Sequence, residues 1–146
     1  MNMKAVGLLA VAALAGCGGV SRRVHDGSVD RVINQTPVRG AYIEAIGIGA
    51  SDPDLDTDTQ RMALARDAAI VKAQYELLSM IKGVHLEGGV TVQRALETDS
   101  TLAARVNDMI RGAEIRKSEF TADNGCVVTL RLPKSALEKS LGSRLQ

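Results

Sequence analysis

The sequence predicts an α+β domain, in which one long helix and shorter helices pack on one face of a small mixed sheet. A lipoprotein signal and a flexible tether are expected before this domain. Three features lead to this prediction: a short apolar run that ends at a cysteine, a long segment with helical periodicity, and two later segments with strand-like alternation. Helices gathered on one face of a sheet are typical of small α+β folds.

The first 16 residues predict a signal peptide. The apolar run at residues 5–16 follows Lys4 and is too short for a bilayer core, which needs about 20 residues. The segment LAGC, which ends at Cys17, resembles the lipobox of bacterial lipoproteins. This resemblance implies cleavage between Gly16 and Cys17 and a lipid on the Cys17 sulfur. Gly18, in place of an aspartate, implies sorting to the periplasmic face of the outer membrane.

Composition limits the classes of function. The mature chain has about 130 residues, the size of one ordinary domain. Without Lys4 it carries 17 basic and 17 acidic side chains, so we expect no basic face for nucleic acid. Tyr42, Tyr75 and Phe120 are its aromatic residues, too few for platforms that stack bases or sugars. Cys126 lies in an apolar, strand-like segment, which favours a buried thiol over an intermolecular disulfide.

Residues 17–40 are polar and show no sustained helical or strand period, which predicts a tether to a single domain at residues 41–146. His25 lies in this segment with no second ligand nearby and is interpreted as a solvated loop residue. Tyr42 to Ile48 is rich in β-branched and aromatic residues and predicts the first strand. Gly47 and Gly49 permit a bend or a close backbone approach there.

Four aspartates occupy every second position of the segment SDPDLDTDT. A calcium-binding EF-hand loop needs glycine at its sixth position and glutamate at its twelfth, and neither register, counted from Asp52 or from Asp54, meets this requirement. We therefore expect no metal site at Asp52, Asp54, Asp56 and Asp58. The segment is interpreted as a solvated loop in which Asp58 is the N-cap of the next helix.

The longest helix is predicted from Thr59 to Lys82, with Gly83 as its stop. Its apolar residues form two stripes, and we expect the sheet to cover only one of them. The covered stripe contains Met62, Ala69, Ile70, Ala73, Leu77, Met80 and Ile81. The other stripe is the predicted self-association surface, unless the short C-terminal helix covers it, and contains Leu64, Ala68, Val71, Tyr75 and Leu78.

Two elements are predicted between Gly83 and the last third of the chain. The segment VHLEGGVTVQRAL predicts a strand interrupted by two glycines, with His85 in a structural role. An amphipathic helix follows, which Asp99 or Ser100 caps and which Gly112 ends.

The segment AEIRKSEFTADNGCVVTLRLP predicts a β-hairpin. Its second strand alternates inward at Cys126, Val128, Leu130 and Leu132. A three-residue loop, 123–125, would place Phe120 opposite Val128, whereas a two-residue loop would place Phe120 on the wrong face. Pro133 ends this strand, and a short helix is predicted from Lys134 to Leu141.

The folded part of the sequence resembles the Lpp-twenty family of small bacterial lipoproteins. The resemblance covers residues 41–133 and the lipobox. It rests on an extended segment with GIG, the alanine-rich helix ALARDAAIVKAQYELLSMIKGV, and the segments IRGAEIRKSEF and CVVTLRL. It implies a mechanical role, since members at the flagellar motor form rings or disks beneath the outer membrane. It implies no catalytic residue.

These observations favour a non-enzymatic lipoprotein that self-associates as a scaffold, with a flagellar ring or basal disk as the more specific expectation. The alternative is a monomeric periplasmic binding module for an envelope protein or a small ligand. No spacing places a nucleophile beside His25 or His85, so catalysis is not expected. We expect no cofactor, metal ion or nucleic acid. The expected partners are the outer membrane, other copies of the chain, and flagellar motor or envelope proteins.

Overall fold

The computed structural model describes residues 24–25, 27–29 and 40–146. The predicted signal peptide, its cleavage after Gly16 and the lipidation of Cys17 lie outside the described residues. Within the predicted tether, two short strands pair with each other: β1 (Val24–His25) and β2 (Ser28–Val29). The Gly27 carbonyl between them accepts a hydrogen bond from the Ala122 amide at 2.8 Å. This part of the tether is therefore attached to the domain.

The domain contains a three-stranded sheet, built from β3 (Tyr42–Gly49), β4 (Glu114–Phe120) and β5 (Cys126–Pro133). The strand order is β3-β5-β4, and both neighbouring pairs are antiparallel. The α+β class is confirmed. The sheet is antiparallel throughout rather than mixed, because the two outer strands, which run in the same direction, are separated by β5.

The long helix α1 spans Asp58–Lys82, close to the predicted bounds. Its N-cap is Thr57, not Asp58 as predicted. The Thr57 hydroxyl accepts from the Gln60 amide at 3.2 Å, and the Gln60 side chain accepts from the Thr57 amide at 3.3 Å, which forms a capping box. Asp58 lies in the first turn, where its carboxylate accepts from the Asn124 side chain at 2.9 Å. This bond ties the start of α1 to the β4–β5 loop.

One stripe of α1 is fully buried on the sheet, and its members are four residues apart: Ala65, Ala69, Ala73, Leu77 and Ile81. Gly47 and Gly49 face this stripe. A Cβ atom at Gly47 would overlap the Ala69 carbonyl and the Ala73 amide, and one at Gly49 would overlap the Ala65 carbonyl. The helix backbone therefore lies directly on β3, so the close approach permitted by these glycines is the one that occurs.

The prediction of a strand after Gly83 is wrong. The segment forms single bridges at His85 and Leu86, and then a short helix, α2 (Val92–Thr98). Gly88 and Gly89 have φ angles of 105° and 82°, so they turn the chain back instead of extending it. The Thr91 hydroxyl then caps α2 by accepting from the Arg94 amide.

The remaining helices agree with the sequence. α3 spans Ser100–Arg111, and the Asp99 carboxylate caps it by accepting from the amides of residues 101 and 102. α4 spans Lys134–Leu141 after Pro133. Both pack with α2 around the C-terminal end of α1, and Leu137 of α4 is fully buried in that core. Across the described part of the chain, no helix combines the length and apolar character needed to cross a membrane.

The β4–β5 hairpin forms, but its register differs from the prediction. Phe120 lies opposite Cys126, not Val128. The Thr121 amide donates to the Gly125 carbonyl at 2.9 Å, so the three-residue loop is 122–124, one residue earlier than expected. Asn124, with φ of 62°, is the left-handed residue that ends this loop. Moving the loop by one residue shifts the register by two, so Phe120 stays on the predicted face.

Cys126 is buried, as predicted, and its sulfur lies 3.5 Å from the Ser118 hydroxyl oxygen. Its side chain belongs to the small-residue core beneath the first half of α1. The thiol is therefore enclosed between helix and sheet.

Candidate interaction surface

One side of α1 is apolar and exposed. Leu64, Val71 and Tyr75 are 48%, 64% and 64% exposed, and Ala68 between them is exposed as well. These four residues, which we call the α1 flank, lie beside the buried alanine stripe. They are four of the five residues of the predicted self-association stripe. Exposed apolar groups that form one contiguous surface are typical of interaction sites.

Leu78, the fifth residue of that stripe, is placed elsewhere. It is partly buried against the core formed with α2 and α3, because the helix turns this position toward the shorter helices. The C-terminal helix α4 packs on the same core through Leu137. Among the described residues, α4 therefore does not cover the α1 flank, which was the alternative left open by the sequence.

The α1 flank borders the free edge of β3. A shallow groove of about 750 Å³ runs between them, lined by the flank together with Ile48, Asp67 and Lys72. β3 is an outer strand, and in the described part of the chain its only ladder is the one with β5. Ile48 is 43% exposed at this edge. The groove thus combines apolar side chains with the backbone of an unpaired strand edge.

A second apolar surface lies at the opposite edge of the sheet. Ile115 and Phe120 of β4 are 39% and 43% exposed. They lie opposite Leu130 and Cys126, so they share with Ser118 the face on which α1 packs. α1 lies over β3 and β5 and makes few or no contacts with β4. These three residues, which we call the β4 face, are left without a helix above them.

The aromatic residues of the chain are all at the surface. Tyr42 is 38% exposed, and Tyr75 and Phe120 belong to the α1 flank and the β4 face. Aromatic side chains dominate the energetics of interfaces and usually bury large areas. Their exposure here, above a core of small aliphatic residues, marks both surfaces as candidates for contact with another molecule.

The other face of the sheet carries charged residues in ion pairs. The Arg131 guanidinium donates to both Glu114 oxygens at 2.8 and 2.9 Å and lies 4.7 Å from the centre of the Tyr42 ring. The hydrogen bond from Arg131 lowers the pKa of Glu114 and raises that of Arg131. Arg116 pairs with Glu44 across the central strand. The charged residues of this face are thus paired with one another, whereas Ile46 and Val127, further along the strands on the same face, are apolar and buried.

A smaller cavity of about 250 Å³ lies between α1, α2 and α3. It is half open, and both apolar and polar side chains line it: Leu78, Lys82, Gln93, Leu96, Glu97, Ala103 and Asn107. No site at this position was expected from the sequence, because a strand was predicted after Gly83 where the short helix α2 forms.

The structure places His85 and the aspartate loop, both singled out in the sequence, in separate parts of the domain. His85 is exposed beside the turn that precedes α2. No group of three or more His, Cys, Asp and Glu side chains is arranged there to hold a metal ion. The aspartate loop is organised by Arg61, whose guanidinium donates to the carbonyls of Leu55 and Pro53 at 2.9 and 3.2 Å.

Comparisons of this chain with protein-family models, with curated proteins and with solved structures found no match. The resemblance to the Lpp-twenty family therefore stays a prediction from the quoted sequence segments.

Proposed function

We propose that this protein is a non-enzymatic lipoprotein of the outer membrane that self-associates as a structural scaffold in the periplasm. A lipid on Cys17 would anchor it, as the LAGC segment predicts. The more specific form of the proposal is a flagellar, FlgP-like ring or basal-disk component needed for motility, which rests on the family resemblance alone. The proposal includes no cofactor and no catalytic residue.

The observation that carries the proposal is the exposed apolar flank of α1. Burying an apolar side chain such as Leu64 or Val71 contributes roughly 1.5–3 kcal/mol. A chain that stayed alone would forgo much of this free energy at three large side chains, which lie beside a strand edge with no partner among the described strands. A scaffold built from many copies gains it at every joint.

A binding module for a small ligand or an envelope protein is the second candidate. The half-open cavity between α1, α2 and α3 favours it. Its volume of about 250 Å³ is below the range of roughly 300–1,000 Å³ that is usual for ligand pockets. The groove beside the α1 flank, at about 750 Å³, is within that range but is shallow and open to solvent, so we rank this function below the scaffold.

The test of attachment is lipid labelling of the full chain in its own host. We expect labelled palmitate in the parent and none in Cys17→Ser, which should also remain uncleaved, since the thiol is the acceptor. Equal labelling of the parent and Cys17→Ser would contradict the lipoprotein assignment.

The test of the scaffold is the size of the protein after gentle detergent extraction. We expect large assemblies for the parent and folded monomers for Val71→Asp, because a desolvated, unpaired charge disrupts an interface. Val90→Asp is a matched control, since Val90 is 46% exposed outside the α1 flank. Circular dichroism would verify the fold of both variants. A parent that remains monomeric at high concentration would defeat the scaffold and favour the binding module.

A further inference from the structure

We propose that copies of this chain join head to tail through two different surfaces. The α1 flank and β3 edge of one copy would bind the β4 face and β4 edge of the next, so that the sheet continues from copy to copy. This inference rests on the proposed self-association and names its interface. Its occupant is a second copy of the chain.

The two surfaces lie on the same side of the sheet. Ile115 and Phe120 face the side on which α1 packs, because their partners on β5 belong to the core beneath that helix. The α1 flank extends beside β3 on that same side, above its free edge. A neighbour added edge to edge would therefore bring its α1 flank over the uncovered β4 face.

The two free edges belong to opposite ends of the sheet. The order β3-β5-β4 leaves one edge of β3 and one edge of β4 without a partner among the described strands. Unpaired strand edges are ready templates for pairing with another chain. Since β3 and β4 are both antiparallel to β5, copies in the same orientation would meet in a parallel β4–β3 ladder.

The spacing of helices and strands fits this arrangement. Each copy provides one α1 helix for three strands, a width of about 14 Å at roughly 4.8 Å per strand. A helix with its side chains is about 10–12 Å wide, so successive helices would fit side by side within this width.

A symmetric pairing of β3 with β3 fits less well. It would place two α1 helices about 5–10 Å apart, at or below the usual 8–10 Å, with Leu64 and Tyr75 between them. It would also leave Ile115 and Phe120 uncovered. The head-to-tail arrangement covers both apolar surfaces at once.

The α1 flank and the β4 face lie at the same position along the strand direction. Gly49, which lies under Ala65 and Ala69, is level with Cys126 and Phe120. A neighbour displaced sideways without an axial shift would therefore place Leu64 and Ala68, the residues just before those alanines, over Phe120.

The other end of the α1 flank is matched in the same way. Gly47, which lies under Ala69 and Ala73, is level with Ser118, and Ala45 is level with Ile115. Val71 and Tyr75, on either side of Ala73, would then lie over the Ser118–Ile115 part of β4. A joint of this kind is not symmetric, so its repetition gives a closed ring or an open filament.

The decisive experiment mixes two full-length variants, each with one damaged surface. Val71→Asp damages the α1 flank, and Phe120→Asp damages the β4 face. We expect each variant alone to be a folded monomer in detergent, and an equimolar mixture to form dimers of twice the protein mass but nothing larger, since one intact joint remains. Val90→Asp should assemble like the parent.

Several outcomes would overturn the head-to-tail joint while leaving the scaffold intact. One is a Phe120→Asp variant that assembles like the parent; another is a mixture of folded variants that stays monomeric although the parent assembles. A monomeric parent would instead defeat the proposed function itself.

Cysteine cross-linking tests the same joint without a disruptive charge. Both copies would carry Cys126→Ala, since the Cys126 thiol lies opposite position 120 and would otherwise pair with a cysteine there. In this background, a copy with Leu64→Cys and a differently tagged copy with Phe120→Cys should form a mixed disulfide on oxidation, because the two positions face each other in this arrangement. Leu64→Cys alone should give no dimer. A Leu64→Cys dimer without mixed cross-links would overturn the head-to-tail joint in favour of the symmetric one.

Discussion

The two halves of α1 pack in different ways. The N-terminal half rests on the sheet through Ala65, Ala69 and Ala73, with glycines of β3 beneath it. The C-terminal half inserts Leu77 and Ile81 into a core of larger side chains that α2, α3 and α4 complete. The first half thus has the sheet as its main neighbour, and the second half is surrounded.

This difference explains where the apolar surface is exposed. The α1 flank lies along the half of the helix that the short helices do not reach, whereas Leu78, one turn further along the same stripe, is covered. The close approach of α1 to β3 has a second effect: the helix lies toward the β3 side of the sheet, and β4 is left open. The small residues in the contact between α1 and β3 therefore leave apolar side chains exposed at both edges of the sheet, on the α1 flank and on the β4 face.

The largest effect on the free energy of unfolding is expected where the backbone of α1 lies directly on β3. Gly47→Ala would force a Cβ atom against the backbone at Ala69 and Ala73, which cannot swing away as a flexible side chain can. We expect a loss beyond the roughly 1–3 kcal/mol of an ordinary overpacked site, enough to leave much of the chain unfolded. Denaturant titration would measure it.

Gly83→Ala provides the control for this substitution. Gly83 has φ of −77°, and an added Cβ would make only an ordinary contact, 3.6 Å from the Met80 carbonyl oxygen. Its stability should stay the same or rise by about 0.4–1 kcal/mol. Similar losses in both variants would show that the close approach at Gly47 is not essential.

The next largest effect on stability is expected from truncating a leucine to alanine, and its size should differ between the two halves of α1. Leu77→Ala removes a fully buried side chain and should cost about 2–5 kcal/mol of unfolding free energy. Leu64→Ala removes a side chain that is 48% exposed and should cost under about 1 kcal/mol in the monomer. Both would be measured at low protein concentration, where assembly does not add to the apparent stability. Equal costs would mean that Leu64 is covered within its own copy.

The smallest effect on stability concerns the ion pair between Arg131 and Glu114, on the sheet face opposite α1. The hydrogen bond from Arg131 lowers the pKa of Glu114 below its ordinary value of 4.5. A lowered folded-state pKa contributes stability above the unfolded value, and this contribution is lost as the pH falls through the folded value. Glu114→Gln should therefore show a slightly shallower loss of stability below pH 4.5 than the parent, by a small amount because the pair is exposed.

In the Glu114→Gln variant, Asp123 still contributes to the loss of folding stability at acid pH. Its pKa is also lowered, chiefly by the hydrogen bond from the Thr121 hydroxyl. Asp123→Asn is the matched second variant and should remove a separate part of the same slope. An unchanged slope in Glu114→Gln would mean that the Arg131 pair does not influence the pH dependence of folding.

Much of the secondary structure could be predicted from local patterns. The 25-residue helix α1, the cap at Asp99, the hairpin and the short helix after Pro133 each depend on neighbouring residues, and each forms within a few residues of the expected place. The failures also have local causes. Two glycines with positive φ convert the expected strand after Gly83 into a turn, and a left-handed Asn124 ends the hairpin loop one residue earlier than expected.

The candidate surface was predictable in part. The 3.6-residue period places Leu64, Ala68, Val71 and Tyr75 on one side of α1, so a second apolar stripe is visible in the sequence. The β4 face was not visible. Phe120 and Ile115 have the spacing of ordinary inward-facing residues of a hairpin. Nothing in this spacing indicates that α1 covers β3 and β5 but not β4.

The sequence by itself therefore determined the class of the domain, the length of its main helix and the existence of two apolar stripes on it, because each follows from the periodicity of adjacent residues. The tertiary structure decided which stripe stays exposed and which strand stays uncovered. Both depend on how far α1 sits toward β3 and on where α2, α3 and α4 pack, and these are set by contacts between residues far apart in the chain, such as Gly47 with Ala69 and Leu137 with the core around Ile81.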